Sequence, residues 1–153
     1  MLDDVASQGR TVRHGGETLA DQRPRQLFAP TEAARSTRVL LRHHGVRPLH
    51  LLGASFVTGR FAAGQAPPAV MAPRSLAGYR VEGDGDAGVT GAVVEYGFRP
   101  TDQFPCLWLV TSNPLGGAAA WNGQGYAGLV VRFSGTPGPA NQVEYEIRDA
   151  ARP

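Results

Sequence analysis

The chain has no lysine, one isoleucine and one cysteine, and it lacks any long apolar run. A lone cysteine, Cys106, excludes an intramolecular disulfide and a zinc site built from cysteines. We expect Cys106 to be a small buried apolar residue rather than a reactive thiol. Because no apolar stretch approaches the roughly 18 residues of a membrane-spanning helix, the sequence predicts no such helix.

The first residues are acidic and polar, whereas a signal peptide would be basic and then apolar. This composition predicts a soluble protein that is cytoplasmic when made. If the protein acts outside the cell, we expect it to leave by lysis or by a route that does not use such a signal. It would then be peripheral to a target membrane.

At 153 residues the chain is long enough for one domain with a real core. In residues 1–34, three glycines and two prolines interrupt any helical period and apolar residues are sparse, which predicts a flexible or extended N-terminal arm before a domain at 35–153. Acids and arginines nearly balance in the arm. An arm that packages nucleic acid needs a surplus of arginine, so we expect no nucleic-acid partner.

From Arg38 onward the chain consists of about eight short extended runs, each bounded by turn-forming residues. In the clearest run, Val143, Tyr145 and Ile147 alternate with charged residues, as in a half-buried strand. This pattern predicts an all-β protein, an antiparallel β-sandwich. Strands are predicted at 36–44, 48–58, 75–82, 88–98, 104–112, 126–134 and 142–149.

The charges are unevenly distributed along the predicted domain. Residues 35–80 contain arginine and histidine but no acid, whereas residues 81–153 carry eight acids and four arginines. One interpretation is that basic and acidic strands lie side by side and their charges pair. The other is a basic face for phosphate-bearing partners, either lipid headgroups or nucleic acid. We favour pairing, because distant segments commonly interleave in a sandwich.

Motifs for metal binding and catalysis are weak. Asp84 and Asp86, with Glu82 nearby, could supply oxygen ligands to Ca²⁺, but the spacing favours a hairpin turn. His43 and His44 point to opposite faces of a strand, so they cannot chelate one metal together. No Gly-x-Ser-x-Gly segment is present, and no nucleotide-binding motif opens a helix. We therefore expect no enzymatic activity, no bound metal and no cofactor.

One segment has the composition of a recognition site. After a strand with Trp108, a glycine-rich loop is predicted to display Trp121 and Tyr126 beside Asn122. Aromatic rings with amide neighbours can bind sugars or lie at the level of lipid headgroups, because each ring is apolar in body and polar at one tip. The alternative is that Trp108 lies in the core and that the loop residue Trp121 folds back onto the protein. We favour the core position for Trp108 and leave both positions open for Trp121.

Two stretches resemble a known family. Residues 52–61, Leu-Gly-Ala-Ser-Phe-Val-Thr-Gly-Arg-Phe, are similar to an early strand of the aegerolysins, and the strand Gly88-Val-Thr-Gly91-Ala-Val-Val-Glu-Tyr96 is similar to their Gly-Thr-x-Gly strand. The resemblance covers about residues 49–147 and extends more distantly to the actinoporin-like cytolysins. It implies a β-sandwich that engages membrane lipids.

The chain also departs from this family. Its dense aromatic cluster is reduced to Trp121 and Tyr126, and its cysteines are reduced to Cys106. The arm lacks the amphipathic apolar face that the actinoporin-like proteins insert into bilayers. The resemblance therefore implies binding without self-sufficient pore formation, as one component of a cytolytic or membrane-active system.

The first functional hypothesis is thus a membrane-lipid-binding sandwich. Its candidate ligand-binding residues are Trp121, Tyr126, Asn122, Trp108 and Arg60, with Arg60 contacting headgroup phosphate. A second hypothesis is a structural subunit of a shell or fibre, in which the arm wraps a protein partner or another copy of the chain. A third is a sugar-binding module that uses the same aromatic segment.

Overall fold

The structure, a computed structural model, describes residues 10–12, 35–83, 90–114 and 119–151. These residues form two β-sheets that pack face to face, and no helix occurs among them. The predicted all-β sandwich is confirmed. The strands are β1 (Arg10–Val12), β2 (Ser36–His43), β3 (Leu49–Thr58), β4 (Arg60–Phe61), β5 (Val70–Met71), β6 (Ser75–Glu82), β7 (Thr90–Gly97), β8 (Leu107–Asn113), β9 (Ala120–Gly125), β10 (Leu129–Thr136) and β11 (Ala140–Asp149).

The six-stranded sheet has the order β1-β6-β2-β11-β10, with β4 also beside β6, and the five-stranded sheet has the order β5-β3-β7-β8-β9. Neighbouring strands are antiparallel except β2 and β11. That central pair runs parallel, with Ser36 opposite Ala140 and His43 opposite Ile147. Side-chain alternation has the same period in both kinds of sheet, so the sequence pattern does not reveal this direction.

Apolar side chains from both sheets meet in the space between them. On β11, Val143, Tyr145 and Ile147 are fully buried, while Glu144 and Glu146 keep partial contact with solvent. This is the alternation that the sequence predicts. Other core residues with no exposed surface are Val39, Leu40, Leu41, Ala77, Val81, Leu49, Met71, Val94, Tyr96, Leu107 and Leu109.

The predicted strands largely agree with the observed ones. The run 75–82 coincides with β6, and 142–149 lies within β11. Residues 120–125, predicted as part of a glycine-rich loop, instead form β9. Of the predicted arm at 1–34, the described part is β1, which pairs with β6 of the same chain.

The glycines of β9 serve packing rather than turns. A Cβ added at Gly123 would lie 2.8 Å from the ring of Tyr145, and one added at Gly125 would overlap the carbonyl oxygen of Leu129. Glycine at these positions lets the edge strands β9 and β10 of the two sheets approach each other closely.

Basic residues of the first half pair with acids of the second half. Arg42 on β2 forms an ion pair with Glu144 on the neighbouring β11. Arg47 lies 4.0 Å from Asp149 in a second pair. The predicted pairing of charges across neighbouring strands is thus confirmed for Arg42 and Glu144, whereas Arg47 lies on the link between β2 and β3.

The ends of the sandwich differ. At one end, β2 finishes at His43 and a short link leads to β3, while β7 finishes beside the start of β8. We call it the groove end. At the opposite end, the far end, the side-chain nitrogen of Asn113 donates to the carbonyl oxygen of Ser36 at 3.2 Å, joining β8 to β2.

Candidate functional site

Two connections at the groove end enclose a concave surface. Residues 98–106 join β7 to β8, and residues 126–128 join β9 to β10. The N–H of Tyr126 donates to the carbonyl oxygen of Cys106 at 2.8 Å, and the N–H of Cys106 donates to that of Tyr96 at 2.8 Å. These bonds hold Tyr126 beside the first connection.

The space between the connections is an aromatic groove of about 540 Å³, a volume typical of small-molecule sites. Phe104 at its edge is 82% exposed, and Tyr126 is 49% exposed. Asp102 supplies one carboxylate to otherwise mainly apolar walls. The lining residues are Phe98, Asp102, Phe104, Pro105, Cys106, Trp108, Tyr126 and Ala127.

Trp108 lies on the outer face of the five-stranded sheet. Its chain neighbours Leu107 and Leu109 are fully buried in the core, so the Trp108 side chain points away from the core. Glu95 on β7 and Gln124 on β9 lie directly opposite Trp108 on its two sides. The interpretation that Trp108 lies in the core is therefore wrong. The residue is half-buried and lines the groove.

Cationic side chains lie near the groove. The guanidinium carbon of Arg47 is 3.6 Å from the ring centroid of Phe98, which is a cation–π contact. The same guanidinium is 4.0 Å from a carboxylate oxygen of Asp149. The backbone N–H of Arg99 donates to Oδ2 of Asp102 at 3.1 Å. Residue Arg99 is exposed.

A buried histidine holds the loop that carries Arg47. Nε2 of His43 lies 2.6 Å from the carbonyl oxygen of Arg47, so Nε2 carries the proton and donates it. Nδ1 accepts a bond from the N–H of Gly45 at 3.3 Å, and the N–H of Val46 donates to Oδ2 of Asp149 at 3.1 Å. Desolvation by burial lowers the pKa of His43 and favours the neutral ring that both of its bonds require.

Cys106 is 3% exposed, and burial raises the pKa of its thiol to about 11. The thiol is therefore protonated at neutral pH, which confirms the predicted buried apolar residue. Within the described ranges, no cluster of three or more His, Cys, Asp or Glu is suited to a metal, and no helix could cross a membrane. Asp84 and Asp86, with their predicted turn, lie outside the described residues.

Trp121 is placed differently from its prediction. It lies on β9, packs against the core, and meets β10 so closely that a Cβ added at Gly135 would lie 2.9 Å from its ring. Its indole Nε1 is buried and has no hydrogen-bond partner in the described part of the chain. The prediction that a loop displays Trp121 is wrong, because the strand glycines bring the sheet edges together over the ring.

Two more predicted residues lie away from the groove. Asn122 faces outward on β9 opposite Val110, and its Oδ1 accepts a bond from the N–H of Gly123 at 2.8 Å. Arg60 on β4 lies at the far end and forms an ion pair with Glu82 at 3.3 Å. Of the predicted set, the groove brings together Trp108 and Tyr126.

Phe98 and Phe104 are groove residues that the sequence interpretation missed, because both were placed in predicted strands. The signal for Phe104 is the proline that follows it, since proline has no backbone N–H and is not found inside a central strand. Phe98 has no comparable signal.

No model of a protein family matches this chain, and no curated protein matches it. Among solved structures, the fold is similar to the crystal structure of the lipid binding protein Nakanori. The two chains are 17% identical with a TM-score of 0.54, and the match covers 72% of this chain and 70% of the other. At this identity the likeness supports the fold alone.

Proposed function

We propose that this protein is a non-enzymatic β-sandwich that binds the surface of a lipid membrane through its groove end. The observation that carries the proposal is Phe104, which is 82% exposed at the edge of an aromatic groove beside Tyr126. Transfer of an exposed aromatic ring from water into the interfacial layer of a bilayer is favourable. Tyr126 can bury its ring there and keep its hydroxyl hydrated.

The charges near the groove suit the same contact. Arg47 and Arg99 are exposed on loops at this end of the sandwich. Near an anionic leaflet, an arginine contributes about 1 kcal/mol of attraction, and the pair with Asp149 reduces this contribution for Arg47. Arg47 and Arg99 thus take the phosphate-binding role that the sequence assigned to Arg60, which lies at the far end.

The fold likeness to a protein described as lipid binding supports this proposal. The aegerolysin resemblance stays a prediction. On the same resemblance we propose binding without self-sufficient pore formation, with the protein acting as one component of a membrane-active system. We also propose that it is made in the cytoplasm and acts at the periphery of its target membrane.

Co-sedimentation with neutral, anionic and sphingomyelin-containing vesicles tests the proposal. Phe104→Ser should weaken binding by about tenfold or more, because burial of a phenylalanine contributes about 1.5–3 kcal/mol. The matched control is Val57→Ser, which changes a side chain that is 89% exposed at the far end. Val57→Ser should bind like the wild type. If the wild type binds none of the vesicles, or if both variants lose binding equally, the proposal is wrong.

A further inference from the structure

A row of polar side chains crosses the outer face of the five-stranded sheet at Trp108. Glu95 and Gln124 are its direct cross-strand neighbours, one on each side. Directly opposed side chains have Cβ atoms about 4.5–5.5 Å apart. A carboxylate and a carboxamide therefore flank the indole, and we call Glu95, Trp108 and Gln124 the Trp108 row.

The Trp108 row is available for a ligand. Glu95 is partly exposed, Gln124 is exposed, and the indole of Trp108 is half-buried. Within the described part of the chain, neither the Glu95 nor the Gln124 side chain makes a hydrogen bond or ion pair. Two polar groups on either side of an aromatic ring, without a partner among the described residues, are suited to a polar ligand that has an apolar face.

The chemistry of the row discriminates among headgroups. Glu95, together with Asp102 in the groove, repels a phosphate placed on the indole. The ring of Phe98 already carries the Arg47 guanidinium at 3.6 Å, so that ring face does not complete a cage around a quaternary ammonium.

A pyranose ring fits the Trp108 row better. Its apolar face can lie on the indole, while its hydroxyls donate to the carboxylate of Glu95 and exchange hydrogen bonds with the carboxamide of Gln124. The indole also lines the aromatic groove that ends at Phe104. A sugar on the row would thus sit next to a site for an apolar group.

We propose that the Trp108 row binds the sugar headgroup of a neutral glycolipid, with the lipid part directed into the aromatic groove. This inference rests on the proposed membrane binding and names the headgroup for it. The continuity of the row with the groove favours a glycolipid over a free glycan, because one indole belongs to both surfaces.

The test uses phosphatidylcholine vesicles that contain glucosylceramide, ceramide or sphingomyelin. The wild type should bind the glucosylceramide vesicles about tenfold more tightly than the ceramide vesicles, as expected for one or two hydrogen bonds to a charged or amide group. Glu95→Ala and Gln124→Ala should each lose most of this preference and keep wild-type binding to ceramide vesicles. Ser112→Ala is the matched control, since Ser112 lies on β8 on the same face but opposite Ala120. It should keep the preference.

Each other result overturns the inference. Equal binding to glucosylceramide and ceramide vesicles would leave the membrane proposal standing and remove the sugar from it. A preference for sphingomyelin that Glu95→Ala abolishes would assign the row to a choline headgroup. Soluble glucose oligosaccharides that bind without vesicles, at the same affinity, would replace the glycolipid with a free glycan. Binding to no vesicle would end the proposed function as well.

Discussion

The hydroxyl of Tyr145 on β11 lies 2.9 Å from the carbonyl oxygen of Val110 on β8. It also lies 3.0 Å from the carbonyl oxygen of Asn122 on β9. Through this hydroxyl a side chain of the six-stranded sheet donates to the backbone of the five-stranded sheet. The bond fixes the distance between the sheets close to the edge where β9 meets β10.

Removing that hydroxyl should weaken the protein. Tyr145→Phe keeps the buried ring and leaves backbone carbonyl oxygens without their donor, so we expect the free energy of unfolding to fall by about 1–2 kcal/mol. Urea denaturation measures this change. Tyr126→Phe is the control, because Tyr126 is half exposed on a loop, and it should change stability little. Equal losses in the two variants would contradict the bridging role.

A methyl group at Gly123 should also destabilise the fold. The added Cβ would lie 2.8 Å from the ring of Tyr145 and 3.1 Å from Val131. Overpacking of this kind costs about 1–3 kcal/mol. Gly53→Ala is the matched control, since a Cβ at Gly53 has nothing within 4 Å. A Gly123→Ala protein as stable as Gly53→Ala would show that the two sheet edges are not in close contact.

Part of the fold follows directly from the sequence. Alternation on β11 is visible because this strand has one fully buried face. β6 is buried on both faces, and its length is visible because turn-forming residues bound it in the sequence. β9 is hidden, since Gly123 and Gly125 suggest a loop until the opposing β10 is known. The parallel pairing of β2 with β11 depends on strands far apart in sequence, which no local pattern encodes.

The residues of the candidate site were also predicted only in part from the sequence. Trp108 and Tyr126 were identified from aromatic composition, and the structure brings them to one groove. Trp121 has the same local composition but points inward, because the direction of a side chain on β9 depends on register with β8. The exposed Phe104 could not be distinguished from a strand residue by alternation alone.

Two buried asparagines should respond in opposite directions to the same substitution. Asn141 is fully buried, and neither amide atom has a partner in the described part of the chain. Asn113 is 2% exposed, and its nitrogen donates to carbonyl oxygens, including that of Pro139 at 2.9 Å. We expect Asn141→Leu to be neutral or to stabilise by about 1 kcal/mol, and Asn113→Leu to destabilise by about 1–3 kcal/mol.

Thermal and urea unfolding of the two asparagine variants check this contrast. A large loss of stability in Asn141→Leu would contradict it, and would indicate that ordered water bonds to this amide.

Stability should fall at acidic pH because of His43. Burial lowers its pKa in the folded state below the value of 6.5, so the unfolded state binds a proton first. The contribution is complete above pH 6.5 and is lost as the pH falls through the lower pKa of the folded state. Urea unfolding between about pH 7.5 and 5 measures it.

Substitution of histidines assigns that pH dependence. His43→Gln should reduce the decline of stability with falling pH. A smaller slope of stability against pH should remain, because burial also lowers the pKa of His44. A His43→Gln protein with an unchanged slope would contradict the assignment to His43.

The membrane-facing position of the groove end can be measured with the two tryptophans of the chain. Vesicles of brominated phospholipid quench the fluorescence of an indole that reaches the lipid layer. In Trp121→Phe the remaining Trp108 should be quenched, because it lines the exposed groove. In Trp108→Phe, which must still sediment with vesicles, the remaining Trp121 should stay unquenched against β10. Quenching of Trp121 with Trp108 unaffected would contradict membrane binding through this end.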